Sequence, residues 1–263
     1  MFKRSTVVDM DVFVVDAFTD EPFKGNPAGV VLLTEDRPAA WMQAVAAEMR
    51  HSETAFVDVR GVDPIPLRWF TPVAEVDLCG HATLAAAHVL GGDRRFQTRG
   101  GVLSCSAKDG GVELDFPADD LQPVEPPKEL VAGLPGVTVL EARRGREDFL
   151  VRVASADEVR AVRPDLSVFA RESARGVIVT APGDRGADFV SRCFYPAVGI
   201  DEDPVTGSAH CTLAVYWGRE LTRSSLVGAQ LSARGGIVRV VLDGDRVRLT
   251  GRAVTILTGR LGC

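Results

Sequence analysis

Apolar residues gather in short β-like runs punctuated by Gly, Pro and Asp, and twice in longer helical blocks. Asp11 to Ala17 and Ala28 to Leu33 read as strands, with Gly25, Asn26 and Pro27 marking a tight turn before the second. Trp41, Met42, Val45, Ala46 and Met49 recur at helical spacing after Pro38 and predict an amphipathic surface helix. Strands follow in the second part of His51 to Val59 and at Leu67 to Thr71. Arg95 to Thr98, Val102 to Ala107 and Val112 to Phe116 are joined by glycine-rich turns, which is hairpin chemistry because Gly accepts a positive φ. Pro117 to Pro127, rich in proline and acid, reads as a linker. Beyond it come a mixed segment from Leu130 to Val153, a helical one around Ala156 to Glu172, and strands at Gly176 to Thr180 and Ala187 to Tyr195. From Leu226 to Thr258 β runs alternate with Gly-containing turns. The last run needs a sheet to pair with and is expected to close the second sheet or to cross back to the first.

The two helical blocks share one plan. Gly80 and His81 open a nearly all-apolar stretch to Leu90; Gly207 and Ser208 open another to Trp217. Each follows an acidic segment, Ala74 to Asp77 in one case and Asp201 to Asp203 before Pro204 in the other, both read as loops. A helix apolar all round must be buried all round, so each block is expected to be the central helix of its own half. The fold expected is α+β, with two similar domains, each a curved, mostly antiparallel sheet around an apolar helix. The domains are expected at 1–116, carrying Glu53 and the Gly80-His81 helix start, and 117–263, carrying the Asp203 to Ser208 loop. The N–H groups at a helix start lack partners and carry the positive end of the dipole, so both starts are candidate anion sites, expected to face one interdomain cleft.

Composition narrows the function. At 263 residues, with 46% hydrophobic and 25% charged residues, the chain suits an ordinary globular protein. A net charge of −6 without a basic run argues against nucleic acid, and the N-terminus lacks the apolar core of a signal peptide or membrane span, which leaves a cytoplasmic protein as the expectation. Five cysteines without a C-x-x-C pair predict core thiols rather than disulfides, and four histidines without metal spacing predict no metal. Neither a phosphate loop nor a dinucleotide fingerprint is present, so no cofactor is expected.

Among candidate catalytic groups, Glu53 precedes an apolar strand, where partial desolvation suits a general acid/base; a surface glutamate partnering Arg50 is the plainer alternative. His81 at a helix start is expected to be mainly neutral through the dipole. Asp203 is placed to hold a substrate amine or hydroxyl, or simply to begin the turn at Pro204. Cys79 is a thiol at a helix start, able to abstract a proton.

Val15 to Ala28, Ser52 to Val57, Arg68 to Pro72, Cys79 to Thr83 and Asp201 to His210, taken together and in this order, resemble the phenazine-biosynthesis PhzF-type isomerases of the diaminopimelate-epimerase-like superfamily. The resemblance implies a cofactor-independent isomerase acting on a small carboxylate-containing substrate in an interdomain cleft, and a homodimer. It assigns the proton shuttle to Glu53, with Ser52 beside it, and the substrate pocket to Gly80, His81, Asp203, Gly207 and Ser208, with Asn26 in support. Two departures matter. Thr206 stands where the racemase branch has its second cysteine, which excludes a two-cysteine epimerisation, and His51 stands where an apolar residue is expected. A one-cysteine racemase or epimerase using Cys79, or a carboxylate-binding protein without turnover, are the alternatives.

Overall fold

The computed structural model describes residues 9–61, 63–171 and 174–262. Its contacts divide the chain into two units: Met1–Phe23, Pro27–Leu114 and Arg252–Cys263 form the first, and Lys24–Asn26 with Asp115–Gly251 form the second. The α+β class expected from the sequence is the class observed: sheets with few helices. No described helix is long and apolar enough to cross a membrane.

The first unit runs β1 (Asp9–Ala17), β2 (Asn26–Leu33), α1 (Ala39–Met49), β3 (Glu53–Asp58), β4 (Ile65–Phe70), β5 (Glu75–Val76), α2 (Gly80–Leu90), β6 (Arg94–Thr98), β7 (Gly101–Lys108) and β8 (Gly111–Pro117). β2 and β3 pair in parallel, with Ala28 opposite Glu53. Both are buried almost throughout, as parallel strands covered on both faces must be. β3 and β4, β6 and β7, and β7 and β8 pair antiparallel. The β7–β8 turn places Asp109 at φ 51° and Gly110 at φ 74°, the two positive values that a two-residue hairpin requires. α1 covers the sheet through Met42, Val45 and Ala46, which join Phe56 and Phe70 in one core. α2 packs on β1 and β3 and is buried continuously from His81 to Ala87.

The second unit runs β9 (Gln122–Val124), α3 (Lys128–Ala132), β10 (Glu141–Arg144), β11 (Asp148–Arg152), α4 (Ala156–Ala161), α5 (Leu166–Phe169), β12 (Gly176–Pro182), β13 (Phe189–Tyr195), β14 (Ile200–Asp203), α6 (Gly207–Leu221), β15 (Ser225–Gln230), β16 (Gly236–Asp243) and β17 (Arg246–Gly251). Most neighbours are antiparallel, while β11–β12 and β13–β15 are parallel. α6 is buried from Ala209 to Gly218, and Trp217 in it stacks on Phe189 and donates from Nε1 to Thr180 Oγ1 at 2.9 Å. The last strand, β18 (Ala253–Gly262), pairs antiparallel along the whole of β1 and so belongs to the first unit.

Three local expectations are corrected. The segment read as a linker holds β9, which pairs with β10 through Val124 and Ala142. The helical segment from Ala156 is two short helices, because Pro164 cannot continue α4 and disfavours a helical Arg163. Asp165 starts the second, its side chain accepting from Ser167 and Val168 N–H; Glu172 lies outside the described residues. The acidic residues before Pro204 are a strand rather than a loop. There Glu202 takes both branches of the Arg192 guanidinium at 2.7 and 2.8 Å, while the alternation of the strand buries Asp203. The first unit repeats the device: Glu75 in β5 takes both branches of Arg68 just before α2.

Candidate active site

In the first unit the site is built where β3 begins beside the start of α2. The chain leaves α1 through Arg50, left-handed at φ 54°, and reaches Glu53 by way of His51 and Ser52. As the opening residue of a strand whose next four residues are buried, Glu53 is drawn in, its side chain 13% exposed. Cys79 is the last extended residue before α2, and Thr83 pins that corner with Oγ1 and N–H both on the Cys79 carbonyl oxygen. No side chain caps the helix: the Cys79 sulfur lies 3.5 Å from Nδ1 of His81 instead. Nε2 of the same ring lies 3.4 Å from Oε2 of Glu53. One buried imidazole therefore stands between a thiol and a carboxyl.

Burial pushes the His81 imidazole down to about 3, and the electrostatic influence of His51 works the same way. The ring is neutral at pH 7, as the sequence suggested, but burial rather than the helix dipole is the main cause. His51 thus acts on His81. The remaining described cysteines behave as core residues, burial pushing the thiols of Cys105 and Cys211 up to about 12 and that of Cys193 higher; Cys263 lies outside the described residues.

The second unit carries a separate polar cluster around Asp203 and the start of α6. Asp203 Oδ1 accepts from Asn26 Nδ2 at 2.8 Å, and Oδ2 accepts from Thr206 Oγ1 at 2.5 Å. Asn26, fully buried, also donates to the Val205 carbonyl oxygen, so its amide holds the acidic turn in place. Burial pushes the Asp203 carboxyl up to about 6, against the hydrogen bonds from Thr206 and Asn26 and the more distant charge of Arg175, with Glu202 adding to the rise. Thr206 is the N-cap of α6, yet its hydroxyl is committed to Asp203 and its N–H to Gln230 Oε1 at 2.9 Å, so α6 too begins without a side-chain cap. Gly207 and Ser208 form its first turn. Ser208 Oγ accepts from Arg175 Nη2 at 3.1 Å, which leaves the serine proton to be donated elsewhere. Arg175 is itself held by the buried Asp148 carboxylate at 2.9 and 2.5 Å, by Glu147 at 2.9 Å, and by the Tyr195 ring beneath it at 4.9 Å.

The fold therefore collects Ser52, Glu53, Cys79, Gly80 and His81 in the first unit, and Asn26, Asp203, Gly207 and Ser208 in the second. Arg175, Asp148 and Gln230 escaped the sequence reading. Each is a polar residue at the edge of an apolar run, the one local sign that a buried partner awaits it.

A model of the phenazine biosynthesis-like protein family, PhzC-PhzF, matches residues 15–259. An uncharacterized isomerase of Pseudomonas aeruginosa is 48% identical, over 97% of this chain and 99% of its own. An uncharacterized isomerase of Halalkalibacterium halodurans is 45% identical over 95% of this chain and 97% of its own. The crystal structure of a PhzF-family phenazine biosynthesis protein from Enterococcus faecalis superposes with a TM-score of 0.93 at 39% identity, over 97% of this chain and all of the other. With the match spanning nearly the whole chain in sequence and in fold, the protein belongs to the phenazine biosynthesis-like (PhzC-PhzF) family of isomerase-type enzymes.

Proposed function

We propose that the protein is a cofactor-independent isomerase that moves a proton on a small carboxylate substrate, with Glu53 as the acid/base. The observation that carries this reading is the largely buried Glu53 carboxyl 3.4 Å from the neutral, buried imidazole of His81. A carboxylate there can take a proton from a carbon beside an unsaturated or carbonyl group and return it at another position, one C–H bond breaking and another forming with no net change in oxidation state. A neutral His81 shares or steadies that proton without competing for it. Taken by itself, the uncapped start of α6 in the second unit suits a carboxylate, since N–H groups of the first turn and the Ser208 hydroxyl, backed by Arg175, offer donors. Asp203 in the same unit, with a carboxyl at about 6, can accept from an amine or hydroxyl in one protonation state and donate in the other. A homodimer is part of the same reading and rests on the resemblance to the family; a cytoplasmic location is proposed with it.

The test is exchange of substrate protons with deuterated solvent, followed by NMR over a panel of cyclic and acyclic amino and hydroxy acids. Glu53→Gln keeps the shape of the side chain and should abolish exchange on every substrate found; exchange at the wild-type rate in this variant would refute the assignment. The proximity of the Cys79 sulfur to His81 Nδ1 favours a second reading, a one-cysteine epimerase. It prevails if Cys79→Ala abolishes exchange and Glu53→Gln does not.

A further inference from the structure

The sequence holds no zinc motif, yet the fold of the first unit brings three different donor types to one point. A carboxylate oxygen of Glu53, the Cys79 sulfur and a ring nitrogen of His81 all lie within 4.8 Å of one another. Carboxylate, thiolate and imidazole are the donors that zinc-like ions select, at about 2.0 Å to nitrogen or oxygen and about 2.3 Å to sulfur. Tetrahedral angles with those bond lengths put neighbouring ligand atoms roughly 3.3 to 3.5 Å apart. One edge of that size exists at each ring nitrogen: 3.5 Å between the Cys79 sulfur and Nδ1, or 3.4 Å between the Glu53 oxygen and Nε2. A single ion uses one ring nitrogen, so the third donor, now within 4.8 Å of the others, has to close in to roughly 3.5 Å.

We infer that Glu53, Cys79 and His81 form a site for a thiophilic divalent cation of the zinc type, three protein ligands with the fourth position left to solvent. A thiolate and a carboxylate together cancel the charge of the ion, which offsets the repulsion it meets at the positive start of α2. Cys79 would ligate as the thiolate, its proton leaving to solvent on binding. Because the ion takes the Glu53 carboxylate, it also shuts off the proposed proton transfer. That last consequence alone rests on the function proposed above; the binding does not.

The experiment is a titration of the metal-free, reduced protein with Co²⁺, read by absorbance. The expected result is one Co²⁺ per chain, tetrahedral d–d bands, and a near-ultraviolet thiolate-to-cobalt charge-transfer band that Zn²⁺ abolishes by displacement. Cys79→Ala should lose the charge-transfer band, and Glu53→Gln should keep it while binding about ten-fold or more weakly. No bound cobalt, a band that survives in Cys79→Ala, or stoichiometric binding without any thiolate band would each overturn the inference. Proton exchange that persists in Glu53→Gln would sink the acid/base reading and leave the cobalt result standing, so the two fail separately.

Discussion

His210 offers a measurable test of how burial governs this protein. The ring is fully buried in α6, its Nδ1 hydrogen-bonded to the Thr206 carbonyl oxygen at 2.8 Å and its face against Phe189, and burial pushes its pKa down to about 4 from 6.5. An accepting carbonyl fixes the proton on Nδ1. Since the folded value lies below the unfolded one, the unfolded chain binds the extra proton first, and stability present above about pH 6.5 is lost as pH falls toward 4. At about 1.4 kcal/mol per pH unit the loss between pH 7 and pH 5 is about 2 kcal/mol. His81, pushed down to about 3, adds a similar loss with the same sign. Asp203, raised to about 6, has the opposite sign: the native state takes the proton first and gains about 1.4 kcal/mol on reaching pH 5. The wild type should therefore lose a net of about 2.5 kcal/mol over this interval from the three groups. His210→Asn keeps a donor for the Thr206 carbonyl but cannot be protonated. It should cost about 2 to 3 kcal/mol at pH 7, because the ring's contact with Phe189 is lost, and then fall by only about 0.5 kcal/mol toward pH 5, where the wild type falls by about 2.5. Urea unfolding at pH 7, 6 and 5, followed by tryptophan fluorescence and circular dichroism, measures both slopes. Parallel curves for variant and wild type would refute the reasoning.

Arg175→Ala strips the Asp148 carboxylate, 4% exposed, of both its guanidinium hydrogen bonds and should cost about 3 to 5 kcal/mol in urea unfolding. Replacing the pair together, Arg175→Met with Asp148→Leu, should recover most of that loss, since the penalty is one of an unpaired buried charge. Thr206→Val is nearly isosteric but removes the hydroxyl that donates to Asp203 Oδ2, so the Asp203 carboxyl should titrate higher than in the wild type, read by carbon NMR of the labelled carboxyl group. An unchanged or lower midpoint would show that this bond does not hold the carboxylate down.

The family and the chemistry-bearing motifs were legible in the residues, because they lie in contiguous blocks: Ser52-Glu53, Cys79-Gly80-His81 and Asp201 to Ser208 each occupy one short stretch of backbone. So were the two central helices, whose unbroken apolar sequence allows no exposed face, and the hairpin at Asp109-Gly110, where positive φ is a local property. Contacts between residues distant in sequence were not legible. β9 was hidden because pairing with β10 depends on a partner strand rather than on its own proline-rich composition, and β14 because a strand of four residues, three of them acidic, has no apolar alternation to reveal it. The same limit applies to the site. Local sequence determined which groups are available and placed two of them at helix starts; tertiary packing alone decided that the His81 ring stands between Cys79 and Glu53, that Asn26 and Thr206 hold Asp203, and that Arg175 reaches Ser208. The physical reason is burial. Desolvation sets the protonation of His81 and Asp203 and demands a partner for each buried charge, and how deeply a residue is buried is a property of the folded chain and not of its neighbours in sequence.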